Sequence, residues 1–178
     1  MPDSHLTKWA LSQAMKELMT ELPMEKIKIG DIVKRCKMNR QSFYYHFKDK
    51  YDLVNWIFYT EFFEDIQNSL EKPGWEILTK VCKFFYKNRI FYSNAFKVTG
   101  QNSFSEYFEE IMHPIILSQC IEVFDDDTNQ AFYATFLADA IRVAISRWLF
   151  EGARIPPEEF VKLIKTAVMG VAQMAKKI

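Results

Sequence analysis

The sequence predicts an all-α fold of about nine helices, and three observations carry that prediction. Only 5 Gly and 6 Pro interrupt 178 residues, too few for the turns of a β-rich chain. Hydrophobic residues make up 49% of the chain, enough for a substantial core. Between the breakers they recur at spacings of three and four, the helical period, and no stretch reads convincingly as a strand.

Taken in order, Leu6 to Leu22 reads as a first helix, with Leu11, Met15, Leu18 and Leu22 on one face and Pro23 as its stop. Ile29, Ile32, Val33 and Cys36 mark a short second helix, and Lys37-Met38 break it. A third runs from Arg40 to about Phe47. Asp49 opens a long amphipathic fourth through Trp56, Phe58, Phe62, Phe63 and Ile66. Pro73-Gly74 is a corner. Helices are then expected over Trp75–Tyr86, Asn88–Lys97 and Ser103–Glu122, the last with Pro114 as a kink. The run Asp125-Asp126-Asp127-Thr128 is a loop. Asn129–Glu151 is one long helix closed by Gly152, and Pro156 starts the last helix.

The net charge is zero but unevenly placed. Residues 1–54 hold ten cations against seven anions, and residues 55–178 hold 13 against 16. Lys34, Arg35, Lys37, Arg40, Lys48 and Lys50 lie within 17 residues that contain one anion, Asp49. Such a patch on a neutral chain suits a confined anionic partner. Cys36, Cys82 and Cys120 are odd in number and widely spaced, which suits neither a disulfide framework nor a CxxC metal site. The N-terminus lacks the pattern of a secretory signal, and no apolar run is long enough to span a membrane. A cytoplasmic chain with reduced thiols is therefore expected.

Residues 28–53 carry the chemistry. Asn39 is placed to cap the third helix by accepting from first-turn N–H groups. Met38 and Phe43 stand at hydrophobic-staple spacing. With Phe43 and Phe47 turned inward, Gln41 and Tyr45 fall on the opposite face, flanked by Ser42 and Tyr44. A short helix pinned by two phenylalanines and presenting Arg, Gln, Ser and Tyr has what a major-groove reader needs. Lys50 stands in the first turn of the next helix, where a cation opposes the helix dipole. A docked phosphate would explain it, and fold stability alone offers no reason for it.

The run Phe43-Tyr44-Tyr45-His46-Phe47-Lys48-Asp49-Lys50-Tyr51-Asp52-Leu53, with Asp31-Ile32-Val33 upstream, resembles the signature of the TetR family of transcriptional regulators over about residues 8–60. The resemblance implies a three-helix helix-turn-helix DNA-binding domain over 1–53 and a helical regulatory and dimerisation domain over 54–178. It implies a homodimer that binds a palindromic operator in double-stranded DNA under the control of a small ligand or partner protein, and no enzyme activity. It also implies that Arg40, Gln41 and Ser42 read bases while Lys28, Tyr44, Tyr45, His46 and Lys50 grip the phosphate backbone. Two positions depart from the family pattern: Lys28 replaces the usual Thr or Ser cap, and Lys37 replaces the usual Gly of the turn. Lysine cannot cap by accepting, and if position 37 needs positive φ the side chain costs about 1 kcal/mol. A narrower set, Arg40 to Tyr44, Leu53 with Asn55-Trp56-Ile57-Phe58, Gly74-Trp75 and Ile90-Phe91-Tyr92, is similar to the dihydroxyacetone kinase operon activator subgroup. Regulators of that subgroup work with a kinase-like partner protein that holds the small molecule.

The helix over 129–151 carries two apolar stripes about 180° apart. One is Ala134, Ala138, Ile141, Ile145 and Trp148, interrupted by Asp139 and Arg147; the other is Phe132, Phe136, Ala140, Val143 and Phe150. Burial on both sides predicts a partner. The first stripe, with Ile164, Ala167 and Val171 of the last helix, is taken as the dimer interface. The last helix places Phe160, Leu163 and Met174 on the same broad face. The aromatics Trp75, Phe84, Phe85, Tyr86, Phe91, Tyr92 and Phe96 are candidates to line a ligand cavity, though the ligand site itself is unassigned. No cofactor or metal is expected: the histidines are scattered, and the acidic run at 125–127 lacks the Gly and Glu of a calcium loop. The competing reading is a helical interaction module or co-regulator with little direct DNA contact, which the small local charge excess leaves open.

Overall fold

The computed structural model describes residues 4–67, 74–123 and 129–175. Its elements are α1 (Ser4–Glu21), a 3-10 turn (Met24–Lys26), α2 (Ile29–Arg35), α3 (Arg40–His46) and α4 (Lys50–Phe58). A π-turn (Tyr59–Phe63) and α5 (Glu64–Gln67) follow α4 without a break. Then come α6 (Gly74–Lys87), α7 (Arg89–Ala95), α8 (Phe104–Val123), α9 (Gln130–Phe150) and α10 (Pro157–Ala175). Counting the run 50–67 once gives nine helices, and no strand occurs among the described residues. Pro73, the loop at 125–128 and the Cys120 side chain lie outside the described residues.

The chain forms two compact units: Met1–Phe63 with Ile90–Glu106, and Glu64–Arg89 with Tyr107–Ile178. The sequence division after Leu53 differs from this because the fourth helix keeps feeding the first core. Val54, Ile57, Phe58 and Phe62 are buried, and the Phe58 ring lies 6.0 Å from Tyr92 and 5.3 Å from Phe104. These rings, with Phe91 and Phe96, are buried in the first core.

In the first unit α1 packs on α2, α3 and α4 through Leu11, Met15, Leu18 and Met19. Arg35 ties α2 to α1: its two Nη atoms each lie 2.9 Å from a Glu21 oxygen, and Nη1 also reaches Glu17 at 3.3 Å. This fork holds the Glu21 carboxyl below its usual range. Asn94 fastens the corner after α1. Its Oδ1 accepts from the Met24 N–H at 2.8 Å, and its amide donates to the Met19 and Leu22 carbonyls.

Two helix ends show why the chain turns where it does. After α2, the Lys37 N–H donates to the Lys34 carbonyl and the Met38 N–H to the Val33 carbonyl, the paired bonds of a Schellman stop. Lys37 takes φ +57° there, the conformation that glycine adopts without strain. After α9, Gly152 (φ +84°) and Ala153 repeat the motif, with Gly152 donating to Leu149 and Ala153 to Trp148. Lys37→Gly is accordingly expected to stabilise the protein by about 1 kcal/mol, raising the melting temperature by about 2–4 °C. An unchanged or lower midpoint in calorimetry would show that the lysine side chain makes a compensating contact.

In the second unit α6 packs against α9 and α10. Ile77, Leu78, Val81, Cys82 and Phe85 of α6 are buried, and burial pushes the Cys82 thiol up to about 12, which makes it an inert core residue. From α9 the buried stripe is Ala134, Leu137, Ala138, Ile141, Ile145, Trp148 and Leu149. The dimer-interface assignment of Ala134, Ala138, Ile141, Ile145 and Trp148 is therefore corrected: these side chains are consumed inside their own chain. Trp148 stacks on Phe160 of α10 at 4.7 Å, and its Nε1 donates to the Ile155 carbonyl. The face left outward carries Phe132, Phe136, Ala140, Val143 and Phe150. Asp139 and Arg147 are exposed with that face and do not interrupt the inner stripe. On α10 Val161, Val168 and Ala172 point inward, while Leu163, Ala167 and Val171 are exposed and Ile164 is half-buried.

Candidate nucleic-acid interface

The recognition element is α3, positioned by a cap and two anchors. Asn39 stands in extended backbone, and its Oδ1 accepts from the Ser42 N–H at 2.8 Å. Phe43 and Phe47 are buried, with ring centroids 5.8 Å apart. Phe47 also meets Trp56 of α4 edge-on at 5.6 Å. With that face spent on the core, helical geometry turns the other outward: Gln41 is exposed, Tyr44 is 57% exposed and Tyr45 80%. Tyr44 meets Phe43 and Tyr45 meets His46 edge-on, yet both tyrosines keep most of their surface in water, which suits contact with a partner.

The predicted contacts differ in how free they are. The Ser42 hydroxyl donates to Asn39 Oδ1 at 3.1 Å, so toward a base it offers an acceptor. Arg40 is exposed, but its guanidinium lies against Gly30 of α2, where an added Cβ would come within 3.1 Å of Nη2. Glycine at position 30 thus makes room for the arginine. Lys28 is exposed at the start of α2. It cannot cap by accepting, and Asp31 supplies the other half of the arrangement by accepting from the Lys28 N–H at 2.9 Å. The ammonium of Lys28 is left to solvent.

His46 is half-buried at the end of α3, edge-on to Tyr45 at 4.8 Å. Burial, and after it the charge of Lys8, hold its pKa below the ordinary 6.5, which favours the neutral imidazole. Lys8 itself lies over the rings of Phe47 and Trp56 at 5.9 and 5.6 Å. The sequence reading missed Lys8, because it stands 38 residues before His46 and only folding brings the two together.

Lys50 requires a correction. Its ammonium donates to the carbonyls of Met24, Glu25 and Ile27 at 2.8, 3.0 and 2.9 Å. A lysine has three donors, and here each has a backbone acceptor. The expectation that the fold gives no reason for Lys50 is thereby overturned: it braces the turn between α1 and α2. The dipole penalty at the start of α4 is met by Asp49, whose carboxylate accepts from the Tyr51 and Asp52 N–H groups. Of the six clustered cations, Arg35 and Lys50 thus serve the fold, while Lys34, Lys37, Arg40 and Lys48 remain exposed.

In the second unit a surface groove of about 450 Å³ is lined by Trp75, Thr79 and Lys80 of α6 and by Val161, Lys162 and Lys165 of α10, with the Lys165 ammonium 5.7 Å from the Trp75 ring. Phe85 is core, meeting Phe108 at 5.4 Å. Tyr86 is 41% exposed and stacks on Trp148 at 6.2 Å. Among the described residues no three His, Cys, Asp or Glu side chains gather as a metal site, and no helix there is long and apolar enough to cross a membrane.

A capped, short outward helix preceded by a Schellman turn and framed by exposed cations defines a helix-turn-helix regulator. Comparison with known proteins agrees. Residues 11–57 match the model of the bacterial regulatory proteins of the tetR family, and residues 75–170 match that of a transcriptional regulator C-terminal region. The chain belongs to the TetR family of DNA-binding transcriptional regulators. It is similar to the HTH-type dhaKLM operon transcriptional activator DhaS of Lactococcus lactis subsp. lactis (strain IL1403), at 29% identity over 124 residues. That match covers 67% of this chain and 65% of the relative's length. Among solved structures, the dihydroxyacetone kinase operon activator DhaS shares the fold at TM-score 0.69 and 23% identity, covering 94% of this chain and 97% of that one. A TetR-family regulator from Syntrophomonas wolfei shares it at TM-score 0.67 and 17% identity, with 96% of both chains covered. NalD, the secondary repressor of the MexAB-OprM multidrug efflux pump in Pseudomonas aeruginosa, shares it at 0.62 and 16%, covering 93% and 96%.

Proposed function

We propose that the protein acts in the cytoplasm as a homodimer on a palindromic operator, with α3 in the major groove. The observation that carries this is the outward face of α3, where Gln41, Tyr44 and Tyr45 stand exposed while Phe43 and Phe47 hold the helix down. Arg40, Gln41 and Ser42 read base edges; Lys28, Tyr44, Tyr45 and His46 contact phosphates. Lys50 contributes by holding the turn from which Lys28 projects. The likeness to DhaS, an operon activator by its name, supports a role in transcription control; control through the second unit by a small ligand or a kinase-like partner protein is what the family resemblance implies.

Gln41→Ala is expected to weaken binding to the operator by about 1–3 kcal/mol and to relax one base position, while nonspecific DNA binding stays as it was. Titrations of the variant against operator and random duplex decide it. A wild-type ratio between the two would remove Gln41 from the readers. A chain with little direct DNA contact, the competing reading, would show affinity nearly independent of salt.

His46 gives the interface a pH dependence of known sign. In the free chain its pKa is lowered, so the folded state binds fewer protons than the unfolded one near pH 6. Stability therefore falls as pH drops from about 6.5 through the lowered value. A phosphate beside the ring favours the charged imidazole, so DNA binding takes up a proton and tightens over the same pH window. Affinity measured at pH 7.5 and pH 5.5 should rise toward acid in the parent and stay flatter in His46→Gln. Identical slopes would place the phosphate away from His46.

A further inference from the structure

We propose that two copies of the chain pair antiparallel helices α9 about a two-fold axis at Val143, with Asp139 of each copy bonded to Arg147 of the other. The proposal rests on the homodimer proposed above and specifies its register. A two-fold contact is self-complementary: if residue i meets j, then j meets i, so numbers on two antiparallel helices add to a constant. The outward face of α9 has that symmetry. Around Val143, Ala140 and Ser146 stand three residues away on either side, Asp139 and Arg147 four away, and Phe136 and Phe150 seven away. These offsets all return to one helix face.

The pattern matches in chemistry as well as in position. Phe136 meets Phe150, two small residues meet each other, and an anion meets a cation twice across the axis. Phe136 is 53% exposed and Val143 and Phe150 are exposed, so this face is apolar at its centre and both ends. Arg147 has no ion-pair partner among the described residues of its own chain, and Asp139 is held by Arg142 on one oxygen at 3.0 Å. Small side chains at 140, 143 and 146 allow the helix axes to approach to about 8 Å. Shifting the axis one turn, to lie between Asp139 and Ala140, would set Phe136 on Val143 and leave Arg147 beside Phe132. Only the Val143 register pairs both charges.

Charge reversal in the full chain tests this. Asp139→Arg and Arg147→Asp alone each bring like charges together twice and should raise the dimer dissociation constant about tenfold or more. The double variant Asp139→Arg/Arg147→Asp restores the pairs and should return within a few-fold of the parent, by sedimentation equilibrium. Val143→Cys adds a readout independent of charge: mild oxidation should link the two substituted positions, identified by peptide mass spectrometry. Single reversals that leave dimer strength unchanged overturn the register while the homodimer stands. Weakening that the double variant fails to repair also overturns it, as does an intact dimer whose substituted 143 positions never link. A parent chain that is monomeric at micromolar concentration removes the homodimer reading itself.

Discussion

Ile141→Glu is expected to unfold the second unit, not merely to separate one subunit from its partner. Ile141 is 6% exposed on the inner stripe of α9, between Ala138 and Ile145. A carboxylate there loses its hydration without gaining a cation, and a buried side chain is lost with it. Unpaired buried charge and lost packing each cost several kcal/mol, so about 4 kcal/mol or more is expected. Against the marginal stability of a typical domain that is a large share. The melting temperature should fall by about 10 °C or more. Phe136→Glu is the contrasting change: it stands on the outward face, so the monomer should melt within about 2 °C of the parent while association weakens. Calorimetry and light scattering on both variants separate the faces. If Ile141→Glu melted like the parent, α9 would be turned the other way.

Lys50→Met is expected to loosen the first unit. The substitution keeps an apolar stem and removes the ammonium that bonds the Met24, Glu25 and Ile27 carbonyls. Hydrogen bonds from a charged donor are worth more than neutral ones, but the site is only partly buried and water can replace some of them. A loss of about 2 kcal/mol is expected. DNA affinity should drop for specific and nonspecific sequences alike, because the turn that sets Lys28 becomes mobile. The salt slope should stay near that of the parent. Lys28→Ala should do the reverse, leaving stability within about 0.5 kcal/mol and lowering the slope by about one per half-site. A neutral melt together with a lowered slope for Lys50→Met would return Lys50 to the phosphate backbone.

The difference between these two lysines marks where sequence reasoning stops. Residue type and helical position single out Lys50 as unusual, and they do so correctly. The carbonyls that receive it belong to a turn more than 20 residues earlier, whose approach depends on α1 packing against α4. Lys8 beside His46 and Asn94 under the α1 corner are hidden for the same reason. Each acts on a segment far along the chain, and nothing in its immediate neighbours signals the contact.

What the sequence determined by itself is what local physics governs. The 3.6 period set the helices, Pro and Gly set their ends, and Asn39 and Asp49 capped α3 and α4 as their side chains require. Phe43 and Phe47 at a spacing of four turned α3 so that Gln41 and Tyr45 face out. The sequence marked Lys37 as costly only if its position needed positive φ, and the fold supplies that condition with φ +57°. The tertiary structure decided which of two equally apolar stripes of α9 is the inner one. Periodicity reports that a helix is apolar on both sides, but not which side meets its own domain. That choice is made by Phe160 stacking on Trp148 and by α6 packing against α9, contacts between segments whose sequences carry no record of each other.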